Sequence, residues 1–168
     1  MLFQYLEDSA RAAPRRTAVI DGERAISYEE LDEGSNQVAR TLQELGIGRG
    51  ARVGLHLDKS LEAVVGLFGI LTAGAAYVPI DPSAPEWRLK FIARDSALAA
   101  ILTTPTWQAS LQQVQTLRGI ILVGTRQPNT ALAAPGEHLP TTLTWEQVRT
   151  RSTSRLEKDA RATPEDLA

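Results

Sequence analysis

The chain of 168 residues contains no cysteine, only two histidines and one methionine, and 5% of its residues are aromatic. The lack of cysteine excludes a disulfide framework and any metal site built on thiolates. The histidines, His56 and His138, do not have the spacing of metal ligands. We therefore expect no metal site, and a reducing compartment suits the chain, so the expected location is the cytoplasm.

The chain also has no marked excess of either charge. Its 18 basic and 20 acidic residues give a formal net charge of −2, and the two signs are interspersed. A nucleic-acid surface would concentrate Lys and Arg on one face. The first residues, MLFQYLEDSARAAPRR, contain two acids and no continuous apolar core, unlike a secretory signal peptide. Neither a nucleic-acid partner nor a secretion signal is expected.

One long apolar stretch stands out, LEAVVGLFGILTAGAAYVPIDP at residues 61–82. It has a single charge, Glu62, before its end, and its apolar positions leave no polar face, which is typical of a buried or membrane-spanning helix. Only its length favours a membrane span, because it holds three glycines and has acids at both edges without a basic clamp. We predict a central buried helix that ends at Gly74, followed by a short, central, buried strand that Pro79 ends or places at an edge.

Helices and short apolar strands alternate along the rest of the chain. A capping box at Ser27 and Glu30 begins the second helix, because each side chain satisfies a free backbone donor of the other residue. The predicted helices cover 2–13, 28–45, 85–95 and a segment from 104; the predicted strands cover 51–57, 99–102 and 119–123, with a hairpin at 18–26. This alternation predicts an α/β fold, with a layered parallel or mixed sheet covered by helices on both faces.

The composition changes after Gly124. Residues 125–142 contain three prolines and little apolar periodicity, which indicates a loop. Thr144 and Gln147 form a second, weaker capping box before a short helix, and residues 149–166 are almost all polar, which favours a solvated strap over a binding tail. We therefore divide the chain into an α/β core at 1–124 and a second part at 125–168 that contains the proline-rich loop, the short helix and the strap.

No glycine-rich segment has the order that phosphate binding requires. The loop GIGRG at 46–50 leaves a helix and precedes a strand, whereas a phosphate-binding loop leaves a strand and opens a helix. Gly69 and Gly74 have the glycine spacing of a Walker loop, but alanines follow where Lys and Ser or Thr must stand. The nucleophile-elbow pattern G-x-S-x-G is absent from the sequence.

Three polar residues are isolated candidates for a functional role. Asp81 lies at the exit of the predicted central strand, where open α/β sheets bind ligands, although an Asp at this position more often caps a turn. His56 lies in a strand, where a structural histidine with satisfied nitrogens is favoured. His138 lies in the proline-rich loop and is expected to be solvated.

Two further features have ordinary structural explanations. Glu29 and Glu30 form an acidic pair, but the capping box accounts for Glu30. The three tryptophans, at 87, 107 and 145, show no stacking pattern for nucleic-acid bases. The residues alone thus predict an α/β domain without a visible catalytic, cofactor-binding or metal site.

Two segments resemble the first two core motifs of the adenylation domains of nonribosomal peptide synthetases. They are ISYEEL at 26–31 and LTAGAAYVPIDP at 71–82, and the second motif is specific to this family. PEWRL at 85–89 is similar to the family at matching spacing, and the resemblance covers essentially the whole chain. Thr72 departs from the pattern, where Lys is usual, and we expect a small effect because it lies in the last helical turn. The chain is similar to the N-terminal part of such a domain, within the adenylate-forming ligases.

The resemblance implies a two-step parent reaction, in which ATP activates an amino or aryl acid as acyl-AMP and a carrier-protein phosphopantetheine thiol then takes the acyl group. ATP and Mg²⁺ are implied for that parent, and the implied partners are the remainder of the adenylation domain and the carrier protein. TPEDLA at 163–168 resembles the segment before the family's phosphate loop. We therefore expect a truncated piece with no catalytic, cofactor-binding or metal residue of its own, inactive alone and prone to self-association through an exposed apolar sheet edge or face.

Two other interpretations stay open at this point. A degenerate ligase of this kind can serve as a stand-alone, non-catalytic interaction or scaffold protein, which the coding frame beyond Ala168 tests. Nucleotide binding by this piece alone is disfavoured, because neither glycine cluster is placed correctly.

Overall fold

The computed structural model describes residues 2–124 and 139–156. The helices are α1 Leu2–Ala12, α2 Tyr28–Glu44, α3 Leu61–Thr72, α4 Glu86–Asp95, α5 Gln108–Leu111 and α6 Trp145–Arg149. The strands are β1 Thr17–Asp21, β2 Arg24–Ser27, β3 Arg52–Leu55, β4 Ala76–Pro79, β5 Ala100–Thr103, β6 Gly119–Leu122 and β7 Thr141–Thr144. The first two strands form an antiparallel hairpin, and the other five form a parallel sheet in the order β4-β3-β5-β6-β7.

Helices cover both faces of the parallel sheet. Successive residues of a strand point to opposite faces, and along β5 Leu102 packs in one core cluster while its neighbour Ile101 packs in the other. The first cluster joins the sheet to α1, α2, α3 and α6, and the second joins it to α4 and α5. The predicted α/β fold with a helix-covered parallel sheet is therefore confirmed.

The stretch at 61–82 forms the predicted helix and strand, but the prediction that the strand is central is wrong. Among the described strands, β4 is the first in the sheet order and pairs with β3 alone, and its residues are half-buried, with Pro79 exposed. Helix α3 also leaves Leu67 and Phe68 half-exposed on one side. An apolar sequence indicates burial, but the pairing partner that decides a strand's place in a sheet lies elsewhere in the chain.

Helix ends and beginnings follow the predicted residues. Ser27 and Glu30 form both hydrogen bonds of the capping box at α2, and Thr144 and Gln147 do so at α6. Gly74 follows α3 with φ +81°, the left-handed conformation that a helix exit requires. The predicted helix from residue 104 begins as a single 3₁₀ turn, Pro105–Trp107, before α5. Among the residues described, none of the helices has the length and apolarity that crossing a membrane demands.

Strand β7 departs from the sequence prediction, which assigned its first two residues, Thr141 and Thr142, to a loop. It pairs in parallel with β6, with Thr141 opposite Gly119 and Thr144 opposite Leu122. Its sequence TTLT lacks apolar alternation, but β-branched threonine suits a half-buried strand. Of the rest of the predicted loop, residues 139 and 140 are in neither a helix nor a strand, and residues 125–138, with His138 among them, lie outside the described residues.

The described part of the predicted strap is anchored to α2, where a solvated segment was expected. Gln37 donates from Nε2 to the carbonyl oxygens of Arg149 at 2.6 Å and Arg151 at 3.1 Å. Arg155 forms a 2.9 Å ion pair with Asp32, and Leu156 is buried in the first core cluster. The remaining strap residues, 157–166, are outside the described part.

Candidate functional site

An α/β sheet most often binds its ligands just beyond the carboxyl ends of its parallel strands. Because β3, β4 and β5 run in the same direction, the residues that end or follow them lie at the same end of the sheet. These residues are His56 after β3, Asp81 after β4 and Thr103 at the end of β5. Two of the isolated candidates from the sequence, His56 and Asp81, therefore lie at the carboxyl-terminal end of the sheet.

His56 is held between neighbouring elements on one side of its ring. Its backbone N–H donates to the carbonyl oxygen of Leu102 at 2.9 Å, which continues the ladder between β3 and β5. The ring atom Nδ1 lies 2.8 Å from Oγ1 of Thr103, and the ring of Trp107 packs edge-on with centroids 5.4 Å apart. The side chain is buried, so this side of the ring is structural.

The other side of the same ring is not satisfied by a hydrogen bond. Nε2 of His56 is buried and has no partner of good geometry among the described residues. Burial lowers the pKa of His56 below its usual range, and the backbone and charge of Asp81 and the charge of Asp58 oppose this effect. The ring is therefore neutral at pH 7, and the expectation of a satisfied structural histidine holds at Nδ1 only.

Asp81 caps the turn that follows β4. Its Oδ1 accepts hydrogen bonds from the backbone N–H of Ser83 at 2.8 Å and from the Ser83 hydroxyl at 2.7 Å. These two bonds lower the pKa of Asp81, with a smaller contribution from the positive charge of Arg88. The carboxylate is exposed, and its hydrogen bonds go to Ser83, two residues further along the chain, which agrees with the turn cap favoured from the sequence.

Glu30, Trp87 and Trp145, which the sequence also singled out, have other roles or positions in the fold. Glu30 accepts from the backbone N–H of Ser27, and hydrogen bonding with Ser27 lowers the pKa of Glu30. Trp145 packs beside the first core cluster, and Trp87 is exposed on α4. The ring of Trp107 packs against His56, one of the candidate residues.

Neither glycine cluster forms a phosphate cradle. Residues 46–50 connect α2 to β3, Gly69 lies inside α3, and Gly74 ends that helix, so none of them opens a helix after a strand. Across residues 2–124 and 139–156, no group of three or more His, Asp or Glu side chains is placed to hold a metal ion. The described residues therefore do not fit an ATP–Mg²⁺ site.

The partners of His56 are not predictable from the sequence near it. Thr103 ends β5 and Trp107 follows it, and β5 neighbours β3 although α3, β4 and α4 separate them in the chain. Periodicity identifies strands but does not state which strands are neighbours. The only local signal is a threonine directly after the apolar run of β5, which alone does not point to a histidine.

The family model described as AMP-binding enzyme matches residues 6–168 of the chain. The chain belongs to the AMP-binding enzyme family. Within this family it is 43% identical over 102 residues both to bacitracin synthase 1 of Bacillus licheniformis and to surfactin synthase subunit 3 of Bacillus subtilis (strain 168). Each match covers 61% of the chain, but only 2% of the first synthase and 8% of the second.

Solved structures of two larger proteins share the fold of this AMP-binding family chain. The anthranilate CoA ligase AuaEII with anthranoyl-AMP superposes with a TM-score of 0.76 at 22% identity, over 90% of the chain and 28% of the ligase. The nonribosomal peptide synthetase FmoA3 with AMPPNP gives a TM-score of 0.70 at 25% identity, over 94% of the chain and 14% of the synthetase. The resemblance to adenylation domains of nonribosomal peptide synthetases is confirmed, and the scaffold alternative is not favoured.

Proposed function

We propose that the chain is the front part of the large N-terminal subdomain of an adenylation domain in nonribosomal peptide biosynthesis. The complete domain activates an amino or aryl acid with ATP as acyl-AMP and loads it on the phosphopantetheine thiol of a carrier protein. The support is the family match over residues 6–168, together with motif 71–82 forming the end of α3 and the edge strand β4. The small share of each relative that the chain covers makes this whole activity a proposal about the longer protein.

In the proposed parent reaction, the acid's carboxylate attacks the α-phosphorus of ATP and pyrophosphate leaves. The carrier thiol then attacks the acyl carbonyl, and AMP leaves. Mg²⁺ neutralises negative charge on the phosphates in such reactions. The described residues supply neither a phosphate cradle nor a group of metal ligands, so no step is assigned to them.

The proposed role of this chain is structural. Phosphoryl chemistry needs backbone and cationic donors aimed at the transferred group. The two glycine clusters lie at helix exits or inside a helix, and this single observation carries the proposal that the 168-residue chain alone is not catalytic. No catalytic, cofactor-binding or metal residue is proposed in it.

The test is substrate-dependent exchange of pyrophosphate into ATP. The purified 168-residue chain is assayed with a panel of amino and aryl acids, beside the same chain extended along its coding frame. We expect no exchange above the acid-free blank for the 168 residues and acid-dependent exchange for the extended chain. Clear exchange by the shorter chain would refute its structural role, and none by the extended chain with any acid would refute the parent activity.

The isolated chain is further proposed to self-associate in the cytoplasm. Among the described strands, β4 and β7 each have only one neighbour, so both edges of the sheet leave backbone donors and acceptors unpaired. The absence of cysteine is compatible with a reducing compartment. Sedimentation velocity over a concentration series measures the association, and a monomer at every concentration would contradict it.

A further inference from the structure

The open edges of the parallel sheet, among the described strands, are the outer sides of β4 and β7. Successive residues of a strand direct their backbone N–H and C=O groups to opposite sides, so every second residue bonds the neighbouring strand. A further strand can add to an edge only where the residues of the outer side have free N–H and C=O groups. The hydrogen bonds inside the sheet identify the residues of that outer side.

On β4, the residues that face β3 are known from their hydrogen bonds. The backbone N–H groups of Ala76 and Ile80 donate to the carbonyl oxygens of Ala51 at 2.9 Å and of the last residue of β3 at 3.0 Å. Alternation then places Tyr77 and Pro79 on the outer side of the strand. Because proline has no N–H, Tyr77 carries the one outward N–H of β4.

The residues on either side of this outer edge add little to it. The N–H of Ala75 donates to the carbonyl oxygen of Ile70 at 3.1 Å, at the exit of α3. Beyond Pro79 the chain turns at Asp81, whose carbonyl oxygen accepts a hydrogen bond of 2.9 Å within the turn. Tyr77 is therefore flanked by a donor already in use on one side and by a missing donor on the other.

Strand β7 has the same arrangement at the opposite edge. The N–H of Thr141 donates at 2.9 Å to the carbonyl oxygen of the residue before β6, so alternation places Thr142 and Thr144 on the outer side. The N–H of Thr144 donates instead to Oε1 of Gln147 at 2.8 Å, in the capping box of α6. The residue before the strand is Pro140, which has no N–H. Thr142 is thus flanked as Tyr77 is on β4.

We propose that Pro79 on β4 and Pro140 beside β7 restrict strand addition at each sheet edge to a single residue. This inference rests on the proposed self-association and limits its strength. A strand that adds to β4 in either direction lacks the hydrogen bond that residue 79 would donate. Edge pairing of the isolated chain is therefore weak, and replacing either proline strengthens it.

The pairing of two β4 strands gives the size of the effect. In an antiparallel pair that sets Tyr77 against Pro79 of the second copy, each such residue pair exchanges two hydrogen bonds when both residues have an N–H. Symmetry repeats the pair, so four bonds are possible and the two that Pro79 would donate are lost. A residue with an N–H at position 79 restores both of them.

The first test restores the missing donor and measures association by sedimentation equilibrium of the 168-residue chain. We expect Pro79→Thr to lower the dimer dissociation constant by about tenfold, equivalent to about 1.4 kcal/mol, which two added hydrogen bonds can supply. Pro140→Val, at a buried position, should lower it in the same direction. The matched control is Pro85→Thr, because Pro85 is exposed at the start of α4, away from both edges, and this variant should associate as the wild type does.

The second test locates the contact by amide hydrogen exchange. In Pro79→Thr, exchange of the Tyr77 N–H is expected to slow as the protein concentration rises, because an added strand protects it. The N–H of Ala76 is the internal reference, since it is bonded to Ala51 within the sheet and should exchange slowly at every concentration. In Pro85→Thr, the Tyr77 N–H should depend on concentration no more than in the wild type.

The outcomes separate the closed edges from self-association in general. A wild-type dimer that neither Pro79→Thr nor Pro140→Val tightens overturns the edge proposal and leaves self-association at another surface. A monomeric wild type with a dimeric Pro79→Thr chain supports the edge proposal and refutes self-association of the wild type. If the wild type and both variants stay monomeric at every concentration, both proposals are overturned.

A further variant separates the restored N–H from the new side chain. Pro79→Ala adds the same N–H with a smaller side chain and should also tighten the dimer. An effect of Pro79→Thr that Pro79→Ala lacks would assign it to the threonine side chain and overturn the proposal. Because Pro79 is exposed, we expect both variants to unfold at urea midpoints close to that of Pro85→Thr, which urea unfolding measures.

Discussion

Nδ1 of His56 and Oγ1 of Thr103 lie 2.8 Å apart and join the carboxyl ends of β3 and β5. Both side chains are buried, so no water competes freely for this hydrogen bond. It links two strands that are neighbours in the sheet although a crossover separates them in the chain. The bond therefore ties together the carboxyl ends of two neighbouring strands, β3 and β5.

Thr103→Val is expected to lower the free energy of unfolding by about 1–3 kcal/mol, because the buried Nδ1 of His56 loses its partner while the shape of the side chain is kept. Urea unfolding at pH 7.5 measures the change. Thr17→Val, on an exposed position of β1, is the control and should lie within about 0.5 kcal/mol of the wild type. A Thr103→Val midpoint equal to that of the control would show that this hydrogen bond adds nothing to stability.

The pH dependence of stability reports on the same histidine. Burial places the pKa of His56 in the folded chain below the value of 6.5 of an unperturbed histidine. As the pH falls below about 6.5, the unfolded chain binds a proton that the folded chain resists, so stability decreases. We expect the urea midpoint to fall between about pH 7.5 and about pH 5.5, above the range in which carboxylates titrate. His56→Gln should flatten this fall, whereas the control His138→Gln should keep it; the same fall in His56→Gln would contradict the assignment.

Two glycines of α3 pack closely against neighbouring elements, Gly69 against α2 and Gly66 against β5. Replacing each of them with alanine gives a matched pair of variants. A Cβ at Gly69 would lie 2.5 Å from Cβ of Val38 and 3.0 Å from the carbonyl oxygen of Ser35, both on α2, and neither atom can rotate away. A Cβ at Gly66 would meet, at 2.5 Å, the tip of Leu102, a flexible side chain. Both variants gain the same helix propensity, of about 1 kcal/mol.

We therefore expect Gly69→Ala to destabilise the chain by about 1–3 kcal/mol, and by at least about 1 kcal/mol more than Gly66→Ala. Thermal and urea unfolding of both variants measure the difference. Equal stability of the two variants would mean that α2 and α3 separate readily to admit a methyl group.

The parts of the fold that depend on local chemistry are predictable from the sequence. Capping residues mark the start of α2 and α6, glycine marks the end of α3, and apolar runs identify β5 and β6. Strand order depends on long-range pairing, which is why β4 is predicted as central although it lies at an edge. Strand β7 escapes prediction because its polar sequence gains its partner, β6, only in the folded sheet.

The candidate site is predictable in part for the same reason. Asp81 is correctly interpreted as a turn cap, because its partner Ser83 is two residues away. The contact of His56 with Thr103 and Trp107 depends on β5 lying beside β3, and the unsatisfied Nε2 depends on burial from several elements. Neither property is encoded near His56 in the sequence.

Leu156 tests whether the segment after α6 belongs to the core. Its side chain is buried in the first core cluster, although the surrounding residues are polar. Leu156→Ala leaves a cavity and is expected to cost about 2–4 kcal/mol of unfolding free energy, as buried leucines do. Arg155→Ala is the matched control, because it removes a partly exposed ion pair with Asp32 and should cost less than about 1 kcal/mol.

Urea unfolding measures both variants, and amide hydrogen exchange of α2 adds a local readout, since Gln37 of that helix holds the carbonyl oxygens of Arg149 and Arg151. Faster exchange of α2 in Leu156→Ala would indicate that the segment stabilises the helix it covers. If Leu156→Ala is as stable as Arg155→Ala, burial of Leu156 adds little to stability. The polar composition of residues 149–166, which predicts a solvated strap, would then describe the segment better than the buried position of Leu156 does.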